Sequence, residues 1–108
     1  MTATDPRIKL PDTIKAGDVI EVKTLVRHVM ETGNRHDKNG NPIPRDIINT
    51  FVAKFDVKEV FRAEFGPGIS ANPYLAFQMR VPGPGTIEIT WIDDHGAAVT
   101  ATAPLNLA

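Results

Sequence analysis

Nine prolines and eight glycines in a chain of 108 residues fall between short apolar runs rather than inside them. Proline lacks the N–H that a helix interior or a central strand needs, so frequent punctuation of this kind rules out long helices. Short strands fit between the breaks, and the apolar positions within the runs recur every second residue, which is the period of a strand with one buried face. The chain is therefore read as all-β.

The first strand is expected at Ile8–Leu10, stopped by Pro11. After Gly17-Asp18 comes the longest strand signal, Val19–Met30. Here Ile20, Val22, Thr24, Val26, His28 and Met30 share one face, while Glu21, Lys23 and Arg27 lie on the other. Leu25 and Val29 interrupt that polar face, which points to cover by another element or by a partner. Ile47–Phe55 and Val57–Phe65 follow one another almost directly and are expected to form a hairpin. Leu75–Val81 is a half-buried strand, and Pro82-Gly83-Pro84-Gly85 turns the chain into Ile87, Ile89 and Trp91. Asp93-Asp94-His95-Gly96 closes a turn into a last strand, Ala97–Leu107.

Seven strands with no helix-period segment read as one seven-stranded immunoglobulin-like β-sandwich spanning residues 1–108. A small Greek-key barrel is the alternative. Trp91 and the five phenylalanines sit on alternating strand positions and are assigned to the core. Residues 31–45 are rich in Gly, Asn, Asp and Pro and read as a long loop with a tight turn at Asn39-Gly40. Loops of about 15 residues are uncommon in compact domains and more often functional than not.

Composition removes several functions. Twelve Lys and Arg against thirteen Asp and Glu leave a net charge of −1, so there is no bulk electrostatic drive toward nucleic acid or an anionic membrane. No run approaches the ~20 apolar residues of a membrane helix, and Met1–Leu10 lacks the apolar stretch of a secretory signal. With no cysteine, thiol nucleophiles, disulfides, iron–sulfur sites and thiolate zinc sites are excluded.

The remaining metal donors are His28, His36 and His95 with Asp37, Asp93 and Asp94, and no two histidines have a chelating spacing. No metal or other cofactor is expected on this basis. Ser70 is the sole serine and lacks the Gly-x-Ser-x-Gly elbow of a hydrolase nucleophile. Asp93 and Asp94 are adjacent at a strand end and so point to opposite sides, which does not suit paired acid/base work. The loop segment carries Arg27, Arg35, Lys38 and Arg45 against Glu31, Asp37 and Asp46, a modest positive excess that suits an oxyanion-contacting or protein-docking loop as well as a solvated one.

The run Thr24-Leu25-Val26-Arg27-His28-Val29-Met30-Glu31-Thr32-Gly33, followed by Ile43-Pro44-Arg45-Asp46-Ile47-Ile48-Asn49 and Phe51, resembles the SoxZ family, whose members are subunits of the bacterial SoxYZ sulfur carrier. Asn72-Pro73-Tyr74 with Phe77, and Trp91-Ile92-Asp93-Asp94-His95-Gly96, match the same family in the expected order. The resemblance runs from about Lys9 to Leu105 and implies a non-catalytic subunit of periplasmic thiosulfate oxidation. Such chains pair with a SoxY-like subunit whose C-terminal cysteine arm carries the sulfur intermediates, and other Sox enzymes dock transiently on the complex. It also implies export in the folded state with a partner that bears the signal peptide.

The residues expected to meet a partner are Leu25, Val29 and Met30 on the strand and Arg35 and Arg45 on the loop. A stand-alone immunoglobulin-like binding module is the competing expectation, because sandwiches of this kind host many unrelated functions. A small metal-dependent redox or hydrolytic enzyme, built on the histidines, is a third.

Overall fold

Strict alternation decides the position of β2 (Val19–Arg27): Ile20, Val22, Thr24 and Val26 are buried, and every residue between them is exposed. A computed structural model describes residues 2–108, with six further strands: β1 (Thr4–Lys9), β3 (Ile48–Phe55), β4 (Lys58–Glu64), β5 (Tyr74–Arg80), β6 (Gly85–Asp93) and β7 (Ala98–Leu105). All ladders between them are antiparallel, and they build a three-stranded sheet in the order β1-β2-β5 and a four-stranded sheet in the order β4-β3-β6-β7. This is the expected seven-stranded immunoglobulin-like sandwich. The fourth strand lies beside the third, as the added strand of a variable-type domain does. A two-residue connection, Asp56-Val57, leaves β4 no length with which to reach the other sheet.

The hairpin tip is tied to the next ladder as well. Asp56 N–H donates to the Thr86 carbonyl at 2.8 Å, and Thr86 N–H donates to Asp56 Oδ1 at 2.9 Å. Gly85 lies beneath this tip, where a Cβ would fall 2.4 Å from Phe55 Cζ, so a side chain there would have to displace the Phe55 ring.

Two strand ends differ from the sequence expectation by three residues or more. The first strand starts at Thr4, not Ile8, and includes Pro6. Proline is tolerated there because β1 is an edge strand and the ladder is irregular between Thr4 and Arg7, where Asp5 has a φ of 55°. The second strand ends at Arg27 rather than Met30, because the Asn72 turn takes over from the ladder. His28 N–H donates to Asn72 Oδ1 at 3.1 Å, and Asn72 N–H donates to the His28 carbonyl at 2.8 Å. The alternation nevertheless persists past the strand end, with His28 and Met30 buried and Val29 exposed.

Phe51 stands at the middle of the core. Its ring meets Phe61 at 6.0 Å, Phe77 at 6.1 Å and Trp91 at 5.8 Å edge to face, and lies near-parallel to Phe65 at 6.2 Å. Phe61 of β4 stacks on Phe77 of β5 at 4.8 Å, which joins the two sheets along one open side. With no disulfide between the sheets, this aromatic cluster is what fastens one to the other. Phe51→Ala is expected to lower stability by about 3–5 kcal/mol. Urea unfolding checks this through a lower midpoint at unchanged slope.

Candidate functional site

The polar groups of the fold collect at the end where β2 leaves its sheet and β6 turns into β7. Asp94 accepts Arg45 Nε at 2.8 Å, Arg45 Nη2 at 2.9 Å, Asn49 Nδ2 at 2.9 Å and Ile47 N–H at 3.2 Å. The bidentate Arg45 guanidinium, assisted by the Asn49 and Ile47 donors, holds the Asp94 carboxyl far below the usual carboxylate range. Its neighbour Asp93 points inward, as adjacent strand-end residues should, and its Oδ1 accepts His95 N–H at 2.9 Å and Ala97 N–H at 3.0 Å. Gly96 completes that turn with a φ of 79°.

Residues 31–46 form a self-bonded arm rather than a featureless loop. Glu31 and Asp46 exchange backbone hydrogen bonds at 2.9 and 2.8 Å to close its base. Ile43 N–H donates to the Arg35 carbonyl at 2.9 Å, and Asp37 Oδ1 caps the tip by accepting Asn39 N–H and Asn41 N–H. The tight turn expected at Asn39-Gly40 is there, with Gly40 at a φ of 82°. Gly33 has a φ of 85°, and a Cβ on it would sit 3.0 Å from the Arg45 side chain, so the two legs of the arm touch at this glycine.

The structure gives three of the residues expected to meet a partner contacts within the chain. Met30 is 4% exposed, has a φ of 53°, and accepts Ile48 N–H on its sulfur at 3.3 Å, so it is a core residue of the chain. Arg35 engages Glu31 through Nε at 3.0 Å and through Nη2, and this pairing draws the Glu31 carboxyl below its ordinary range and raises the guanidinium. Arg45 is held by Asp94. Both arginines thus brace the arm through neighbouring carboxylates instead of projecting unpaired charge. Leu25 and Val29, by contrast, lie where expected, 38% and 51% exposed. Shallow clefts flank them, one of about 300 Å³ beside Leu25 and Tyr74 and one of about 340 Å³ beside Arg27 and Val29.

Folding also brings together a set that the sequence spacing conceals: His28, Asp46 and Asp93, each offering a ligand atom within 4.8 Å of the others, all buried. Asp46 is not among the donors expected from the sequence, because its closeness to His28 and Asp93 is purely tertiary. His95 Nε2 lies 3.6 Å from Asp46 Oδ2 at the rim. The distances would suit a divalent metal, but the protonation does not. Met30 N–H donates to His28 Nδ1 at 2.9 Å, which places the ring proton on Nε2, the nitrogen that faces Asp46 Oδ1 at 4.0 Å. A metal-binding imidazole presents a bare nitrogen to the ion and donates from the other. His28 does the reverse, so the cluster is built as a donor facing two carboxylates.

Compared with protein families, residues 8–104 match "Sulphur oxidation protein SoxZ". The chain belongs to the SoxZ family. That membership gives it a role in the sulfur-oxidation system. No curated protein matches the chain. Among solved structures it is similar to a superoxide reductase (neelaredoxin) from Ignicoccus hospitalis, with a TM-score of 0.73 at 16% identity over 98% of this chain and 82% of that one. It is also similar to a hypothetical protein from Pyrococcus horikoshii OT3, with a TM-score of 0.69 at 15% identity over 96% and 89%. At this identity the likeness is one of fold: the same sandwich carries unrelated chemistries.

Two measurements test this geometry. Asp94 has a depressed folded-state pKa, so its contribution is complete above the unfolded carboxylate value of about 4 and is lost as the pH falls below it. The melting temperature of the wild-type chain should drop through that acid range, and Asp94→Asn should start lower at neutral pH and lose less on acidification. Zinc or cobalt ions in excess should leave the melting temperature unchanged, because binding at His28 would require breaking the Met30 hydrogen bond. A metal-dependent rise would overturn the tautomer assigned to His28.

Proposed function

We propose that this SoxZ-family chain is the non-catalytic subunit of a periplasmic heterodimeric sulfur carrier in thiosulfate oxidation. The observation that carries the reading is the absence of cysteine from a member of a sulfur-oxidation family. Covalent carriage of sulfur as a persulfide-like adduct needs a thiolate, and this chain has none to offer. The sulfur must ride on another polypeptide, a SoxY-like subunit with a cysteine near its C-terminus.

The division of labour has a physical rationale. A cysteine arm that visits several enzymes has to be flexible, and it works best from a body that is not. The disulfide-free aromatic core and the braced arm make this chain such a body. Leu25 and Val29 supply exposed apolar area of the kind that a permanent partner covers. Other Sox enzymes then act on the arm of the partner, and the pair leaves the cytoplasm folded, with the signal peptide on the partner.

The test is to purify the tagged chain from a periplasmic extract and weigh the intact co-purifying proteins before and after reduction. A stoichiometric small partner that loses a sulfur-containing adduct on reduction is the expected result. An unaccompanied monomer from cells making Sox enzymes would sink the proposal in favour of a stand-alone binding module.

A further inference from the structure

The near-neutral chain hides an uneven distribution of charge. The registers of β1 on β2 and of β2 on β5 place Arg7, Lys9, Lys23, Arg27 and Arg80 on the outer face of the three-stranded sheet, with Glu21 as the one carboxylate among those outward positions. Even with Asp5 at the β1 irregularity included, cations dominate this face. The chain as a whole has 12 Lys and Arg against 13 Asp and Glu, so the acidic excess lies elsewhere on the molecule. In-chain neutralisation is incomplete. Asp5 Oδ2 is 3.3 Å from Arg7 and 3.7 Å from Arg27, and Glu21 is 3.7 Å from Lys23, whereas Lys9 and Arg80 carry no ion pair among the described residues.

The same face also carries an apolar patch beside these cations. Leu25 is flanked in register by Tyr74, which is 60% exposed, and Val19 and Val29 stand toward the two ends. The clefts beside Leu25 and Val29 open here, as does a third of about 260 Å³ lined by Lys9, Pro11 and Lys23. The outer face of the four-stranded sheet is different in kind: Arg62 is paired with Glu59, Lys54 stands opposite Glu88, and Thr90 and Thr100 share a hydroxyl hydrogen bond.

We infer that the outer face of the β1-β2-β5 sheet is the docking surface for the carrier subunit, and that the partner's facing surface is acidic and includes an apolar patch that receives Leu25 and Tyr74. This rests on the preceding proposal that a cysteine-bearing subunit exists. Exposed apolar side chains beside charged ones suit a protein interface, and complementary charge sets both the rate of encounter and the orientation of docking. A nucleic acid would meet the same cations, but the exposed Val19, Leu25 and Val29 and the carboxylate of Glu21 on this face offer nothing to phosphates.

The experiment co-expresses this chain with the cysteine-bearing subunit and measures the dissociation constant at about 50 and about 300 mM salt. Lys9→Glu with Lys23→Glu, and separately Leu25→Asp, are expected to weaken the pair by about tenfold or more, and the wild-type pair should weaken as salt rises. Lys54→Glu with Arg62→Glu on the opposite face should leave the constant unchanged. Unaltered melting temperatures of the free variants establish that folding is intact, and Lys9→Glu alone serves if the double variant is unstable. A heterodimer that forms but ignores all changes on this face, or responds only to the opposite face, overturns the inference and leaves the carrier reading standing. The inference is equally overturned if the face variants lose binding to a DNA duplex while the heterodimer persists. Failure of the wild-type chain to form a heterodimer removes both.

Discussion

The rest of this structure depends on the contact of one phenylalanine ring with four other aromatic rings. Two β-sheets placed face to face slide freely unless something interlocks them, and a chain without cysteine has only packing for the purpose. Phe51 reaches Trp91 within its own sheet and Phe77 in the opposite one, while Phe61 and Phe77 stack across the open side. This interdigitation sets the relative position of the sheets and hence which residues meet at their ends.

What meets at one end is a layered polar assembly. Asp94 gathers donors from β3 and from the base of the arm, so the arm leaves the sandwich in a defined direction. Beneath it, His28, Asp46 and Asp93 lie close together, with the proton of His28 placed by the backbone N–H of Met30. Arg35 and Arg45 look from the sequence like a steering surface, but each has a carboxylate of its own, while five cations gather on the β1-β2-β5 face. A member of a sulfur-oxidation family that lacks a thiol thus has one face distinct in charge from the rest of the molecule.

Fold class is legible in the chain because the strand period is local: Ile20, Val22, Thr24 and Val26 declare one face of β2 whatever packs on it, and the proline and glycine breaks limit every run. The same locality makes Leu25 and Val29 stand out as misplaced on a polar face. Met30 is buried as its place on the apolar face predicts, but not as part of the strand expected to contain it. It continues the buried phase of the strand, but the strand has ended, and a left-handed backbone turn carries its side chain under Ile48. Pro6 misleads in the other direction, because only the sheet order shows that β1 is an edge where a missing donor costs nothing.

The sequence by itself determined the all-β class, the seven runs, the aromatic core and the absence of thiol chemistry, since each follows from local period, punctuation or a residue count. Its motifs determined the family as well. The tertiary structure alone decided which sheet receives β4, that Asp46 joins His28 and Asp93, that Arg35 and Arg45 are neutralised at home, and that five cations share one face. These depend on strand pairing between segments tens of residues apart, and pairing is chosen by the packing of the whole core rather than by any stretch of neighbours along the chain.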